Sequence, residues 1–157
     1  MMMKREAMVT HETLTTILHA AELAGYQAPP NNPIHLRVWP AGMDTHVPEA
    51  LPSGYSAVYV FSMAEQTLKV GHCGANSNAC YQSRHYGFKH SSTLAKSVFS
   101  DPTLAVGVPQ DQIGEWIKTN TTRYNILIPA VYGNYFRHFV EKFLAVKLGP
   151  RYEDRGN

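Results

Sequence analysis

The chain has 157 residues, enough for about one domain with a real hydrophobic core. Apolar and charged fractions of 44% and 17% are those of a globular protein and exclude wholesale disorder. A net charge of +2 neither demands nor opposes a nucleic-acid partner, and no apolar run approaches a membrane span.

In chain order, residues 1–8 are expected to be a disordered start. Thr10, followed by Glu12 and Thr13, opens an amphipathic helix through Leu14, Ile17, Leu18, Ala21 and Leu23, ended by Gly25. Its plain role is packing against the rest of the domain. Pro29-Pro30-Asn31-Asn32-Pro33 is a rigid linker. Residues 34–39 alternate apolar and polar side chains and leave an extra strand open, and residues 41–52 form a loop. Ala57-Val58-Tyr59-Val60-Phe61 reads as a strand, and Thr67-Leu68-Lys69-Val70-Gly71 as its hairpin partner. Asn76 to Asn78 offer helix caps, and residues 79–86 form a short helix that Gly87 ends. Further helices are expected from Leu94 to Phe99, capped at residues 91–93, and over residues 110–119, with Ile113, Trp116 and Ile117 on one face. Residues 123–129 supply a third strand by composition. A last helix over residues 132–148 carries Phe136, Phe139, Val140, Phe143 and Leu144 at helical spacing and stops at Gly149-Pro150. Two cysteines and no signal peptide suggest a reducing compartment and a cytoplasmic protein.

Polar groups stand where this scaffold needs them least: Tyr59 and Lys69 in strands, Arg84 and His85 on a helix, Glu141 beside an apolar stripe. Arg137 and His138 lie one turn before Glu141, and the plain structural reading is a surface ion pair worth roughly 0–1 kcal/mol. His72, His85 and His90 crowd the same region as Cys73 and Cys80, but the spacing fits no pair-plus-pair zinc pattern.

The hairpin carries a more specific signal. Ala57-Val58-Tyr59, then Lys69-Val70-Gly71, then a helix, then a late helix with a lone glutamate resembles the GIY-YIG nuclease superfamily, in its small bacterial stand-alone form. Several members place lysine where the second tyrosine usually stands. The similarity covers residues 53–153. The resemblance implies an α/β (α+β) domain with a small, largely antiparallel three-stranded sheet flanked by helices. That nuclease domain spans residues 53–157 and follows an N-terminal helix and linker over residues 1–52, the two expected to form one compact unit.

The resemblance also implies a metal-dependent endonuclease that hydrolyses phosphodiester bonds. Glu141 would hold one divalent ion, Mg2+ or Mn2+, which prefers oxygen ligands and keeps several waters. Tyr59 would act as, or relay to, the general base, with Lys69 the nearby cation that lets a phenol do so. His85 would contact phosphate or relay a proton. The family's phosphate-binding arginine is expected eleven residues after Lys69, where this chain has Cys80. Either Arg84, four residues on and on the same helical face, takes its place, or the chain is a weakened or inactive binding form. Expected nucleic-acid contacts are His72, Tyr81, Tyr86 and Lys89. A tyrosine-rich, weakly basic domain favours single-stranded DNA over duplex, because rings stack on unpaired bases.

Overall fold

A computed structural model describes residues 8–152. The expected disordered start lies outside the described residues except for Met8, as does Glu153, where the family resemblance ends. Helix α1 (His11–Leu23) begins at Thr10, whose hydroxyl accepts from the Thr13 amide while the Thr13 hydroxyl accepts from the Thr10 amide. Thr13, Leu14, Ile17 and Ala21 form its buried stripe.

Strands β1 (His35–Trp39), β2 (Tyr55–Met63), β3 (Gln66–Cys73) and β4 (Thr122–Pro129) form one sheet in the order β1-β4-β2-β3, every pair antiparallel. The fold is α+β as expected, but the sheet has four strands rather than three. The fourth is β1, from the alternating stretch before residue 53, which runs along β4 from His35 opposite Leu127 to Trp39 opposite Arg123.

Alternation along β2 divides the core in two. Ala57, Tyr59 and Phe61 face one side, with Trp39, Leu68 and Leu127. Val58 and Val60 face the other, with Val70, Ile126 and Ile128. Helices α2 (Asn78–Gln82), α3 (Leu94–Ser100) and α4 (Ile113–Asn120) cover the first face through residues such as Leu94, Val98 and Ile117. The second is covered by α1 and α5 (Asn134–Leu148), the latter through Phe136, Val140 and Leu144. Gly149 ends α5 at φ +58, a left-handed cap from which its N–H reaches the Ala145 carbonyl at 2.9 Å.

Two local departures position the site. The helix expected over residues 79–86 breaks after Gln82. The Ser83 hydroxyl bonds back to the Ala79 carbonyl at 3.2 Å, Ser83 leaves helical geometry at φ −129, and Arg84–Tyr86 form a separate 3-10 turn. In the hairpin, pairing shifts by one residue between Phe61 and Ser62: Ser62 opposes Thr67, whereas Phe61 opposes Lys69, leaving Leu68 as a bulge. Unbroken pairing from Ser62 would set Lys69 opposite Val60, on the α5 face. The bulge returns it to the face of Tyr59 and Phe61.

Among the described residues no helix is long and apolar enough to cross a membrane. Leu144 is 0% exposed at the centre of the α5 contact. Leu144→Ala is therefore expected to cost about 2–5 kcal/mol of unfolding free energy, read from urea denaturation. An unchanged midpoint would contradict the packing of α5 on the sheet.

Candidate active site at the sheet edge

The site starts from a glycine. Tyr59 and Gly71 are directly opposed on β2 and β3, and the Tyr59 ring lies across the space a side chain at Gly71 would fill. A Cβ there would fall 2.6 Å from Cζ of Tyr59. Gly71 thus lets the phenol lean over the edge strand toward a cavity of about 290 Å³.

Residues 82 positions apart in sequence line that cavity: Tyr59, Lys69, Arg84, His85 and Glu141. His72 and Cys80 also contribute to its wall. Because β3 is a sheet edge, groups from both faces meet there. Lys69 shares Tyr59's face, while Glu141 comes from α5, which covers the opposite one.

His85 is 3% exposed and joins two hydrogen bonds whose directions can be worked out. The Leu94 amide donates to Nδ1 at 3.2 Å, so the neutral ring carries its proton on Nε2. That Nε2–H donates to Tyr59 Oη at 2.5 Å. Burial, reinforced by the charges of Lys69, Arg123, Arg84 and His90, pushes His85 down to about 2, so the ring is neutral at physiological pH. Tyr59 Oη therefore receives a fixed donor. Lys69, 6% exposed, extends Nζ to the Ser92 carbonyl at 2.5 Å.

Glu141 is 8% exposed, not the surface carboxylate the sequence suggested. Its Oε1 lies 3.1 Å from Lys142 Nζ and its Oε2 lies 3.7 Å from His72 Nε2. Arg137 does not reach Glu141 as a simple ion pair. It donates from Nε to His72 Nδ1 at 3.0 Å, which leaves the His72 Nε2–H directed at the carboxylate. Burial lowers the His72 pKa, with Glu141 opposing and Arg137 assisting.

Cys80 stands on the cavity wall, where an arginine was expected, and is joined to Cys73 in a disulfide. The cysteines read as marks of a reducing compartment are thus paired with each other. Arg84 does not share a helix with Cys80, because of the break at Ser83, yet it lines the same cavity. Its Nε is buried and has no hydrogen-bond partner among the described residues.

The expected nucleic-acid contacts separate. His72 lies on the cavity, and Lys89 is exposed beside it on a neighbouring hollow. Tyr81 is turned inward, 1% exposed and edge-on to Trp39, so its ring is not offered to a base. Tyr86 is half-buried, and its hydroxyl is taken up in the interior. It donates to His46 Nε2 at 2.6 Å, because His46 Nδ1–H already binds the Thr121 carbonyl at 2.7 Å.

Sequence reasoning missed Arg123, which is 0% exposed. Its guanidinium lies 4.5–5.0 Å from the ring centres of Trp39, Tyr59, Phe61 and Tyr81. Nε donates to Asn125 Oδ1 at 2.7 Å. The available signal was alternation: Arg123 and Asn125 occupy the same face of β4 as Leu127, where apolar residues are expected.

Comparison with known proteins finds no match to a family model, to a curated protein or to a solved structure.

The neutral His85 has a measurable consequence. An unfolded imidazole titrates near 6.5. Below that pH the unfolded chain takes up a proton that folded His85 refuses, so stability falls as pH drops from about 6.5 toward 2 and is complete above it. His46, lowered to about 4 mainly by burial, adds to the upper part of this window. Between pH 7 and pH 5, His85→Asn is expected to lose about 1–2 kcal/mol less than the parent, measured by urea unfolding. Equal losses would show that His85 is protonated in the fold.

Proposed function

We propose that this chain is a metal-dependent DNA endonuclease of the GIY-YIG type, with single-stranded DNA favoured over duplex. The observation that carries the reading is the convergence of Tyr59, Lys69, Arg84, His85 and Glu141 on one cavity. These are the residues that the family resemblance singles out.

Phosphodiester hydrolysis needs a base for the attacking water and positive charge for the phosphate oxygens. Tyr59 Oη is the candidate base. The His85 Nε2–H donated to it supports negative charge on that oxygen, and a neutral His85 cannot compete as an acid. Lys69 and Arg84 bring positive charge to the wall of the cavity. Arg84 is the stronger candidate for the phosphate, since its buried Nε lacks a partner and a guanidinium suits two phosphate oxygens at once. Among the described residues lining the cavity Glu141 is the one acid, and no cluster of three or more His, Cys, Asp or Glu forms a metal cage. One carboxylate beside open space fits Mg2+ or Mn2+ held largely by water and phosphate oxygens, with Glu141 as the protein ligand. Such an ion would supply charge neutralisation and a more acidic bound water.

A second reading is favoured by Cys80: a GIY-YIG-like module that binds nucleic acid without cutting it. Cysteine in a disulfide brings no charge to the place where the resemblance implies an arginine.

Two substitutions decide between these readings. Glu141→Gln keeps the shape but weakens metal ligation, and Mg2+-dependent cleavage of a labelled single-stranded oligonucleotide is expected to fall to background with an unchanged circular dichroism spectrum. Cleavage equal to the parent's would remove Glu141 from the reaction. Arg84→Ala is expected to lower turnover by about 10²–10³, the usual cost of one transition-state donor. A parent already inert in Mg2+ and Mn2+, yet binding DNA with a salt-dependent affinity, would establish the binding module instead.

A further inference from the structure

A second hollow, of about 430 Å³, adjoins the candidate active site and shares Arg84 and His90 with it. Its remaining wall is largely apolar, built from Ala79, Gly87 and Phe88 together with Ser83 and the exposed Lys89. Phe99 braces the Phe88 ring edge-to-face at 5.8 Å. Among the described residues no acidic one lines it. Gly87 is extended there, at φ −134 and ψ −174, and a Cβ built on it meets nothing within 4 Å.

We infer that this hollow receives one unpaired nucleobase of single-stranded DNA, next to the phosphate held in the active-site cavity. The inference rests on the phosphate-cleft reading of that cavity. Arg84 belongs to both spaces, so a nucleotide whose phosphate meets Arg84 has its base within reach of the second. A base needs what this hollow has: apolar walls, an aromatic ring, and cations flanking it for the adjoining phosphates. A base still paired in a duplex cannot enter without leaving the stack, which adds the cost of unpairing and unstacking it. The hollow thus gives the preference for single strands a structural origin, independent of the inward-facing Tyr81 and the internally bonded Tyr86.

Gly87 offers a clean test, because Gly87→Leu fills the hollow from a backbone that accepts a side chain. Phe88→Ala removes the ring instead. Binding is read by fluorescence anisotropy in the presence of a metal chelator. One probe is a labelled oligothymidylate; the other is a strand of equal length made of abasic tetrahydrofuran nucleotides, with the same phosphates. The parent is expected to bind the thymidine strand about tenfold or more tightly than the abasic strand. Both variants should lose that preference while keeping the parent's affinity for the abasic strand. Equal binding of both strands by the parent overturns the inference, as does a preference that survives Gly87→Leu. A duplex weakened by Gly87→Leu as much as the thymidine strand also overturns it, since the hollow would then serve paired DNA. Cleavage in Mg2+ without base preference sinks this inference and leaves the nuclease reading standing. Base preference without any cleavage does the reverse.

Discussion

A guanidinium with no exposure to water lies at the middle of one sheet face, and much of the molecule is arranged around it. Removing such a charge from water costs several kcal/mol. The offset comes from rings: each cation–π contact contributes about 2 kcal/mol or more when desolvated, and Arg123 has Trp39, Tyr59, Phe61 and Tyr81 around it. The second coordination layer is polar. Arg123 Nη1 donates to the Tyr86 hydroxyl at 3.4 Å, the Tyr86 hydroxyl donates to His46 Nε2, and His46 Nδ1–H in turn donates to the Thr121 carbonyl. What this network secures is geometry. A ring that must face Arg123 on one side and lie over Gly71 on another has little freedom, and Tyr59 is that ring.

From Tyr59 outward, the site is an assembly of groups whose charge states support one another. His85 is kept neutral by burial and by surrounding cations, so it donates a proton in a hydrogen bond without competing for negative charge. Lys69 and Arg84 face the same cavity as Glu141, which gives a mostly neutral polar wall with two cations and one carboxylate among the described residues. That balance suits an anionic ligand with room for a hard cation beside it, which is the requirement of the phosphodiester chemistry proposed above.

How much of this was legible depends on range. The paired strands around Tyr59 and Lys69, the β4 segment, and the long apolar stripe of α5 follow from short-range periodicity, which the sequence carries directly. Tyr59, Lys69 and Glu141 stand out because their polarity interrupts those patterns, and the roles expected of them and of Arg84 and His85 come from the family resemblance. Other features answer to long-range demands that no local pattern encodes. The helix at Cys80 ends early because Ser83 bonds backward and His85 is drawn into the core. Tyr81 and Tyr86 look like stacking rings in a list of residues, but Trp39, His46 and Arg123 claim them. The Cys73–Cys80 pairing likewise appears only once the end of β3 is set against α2.

The Leu68 bulge has a consequence for how this chain tolerates change in length. Side-chain identity at most hairpin positions affects packing locally, and a one-residue deletion at Leu68 itself would remove the extra residue and leave Lys69 opposite Phe61, but a deletion at Val70 would set Gly71 opposite Val60 and His72 opposite Tyr59. The residues before and after the deletion would be untouched in kind, and the hairpin would still form. Only the counting would differ. For this protein, then, insertions and deletions in β3 beyond the bulge are a harsher class of variation than most substitutions there, because the placement of Gly71 beneath the Tyr59 ring is recorded in chain length as well as in the glycine itself.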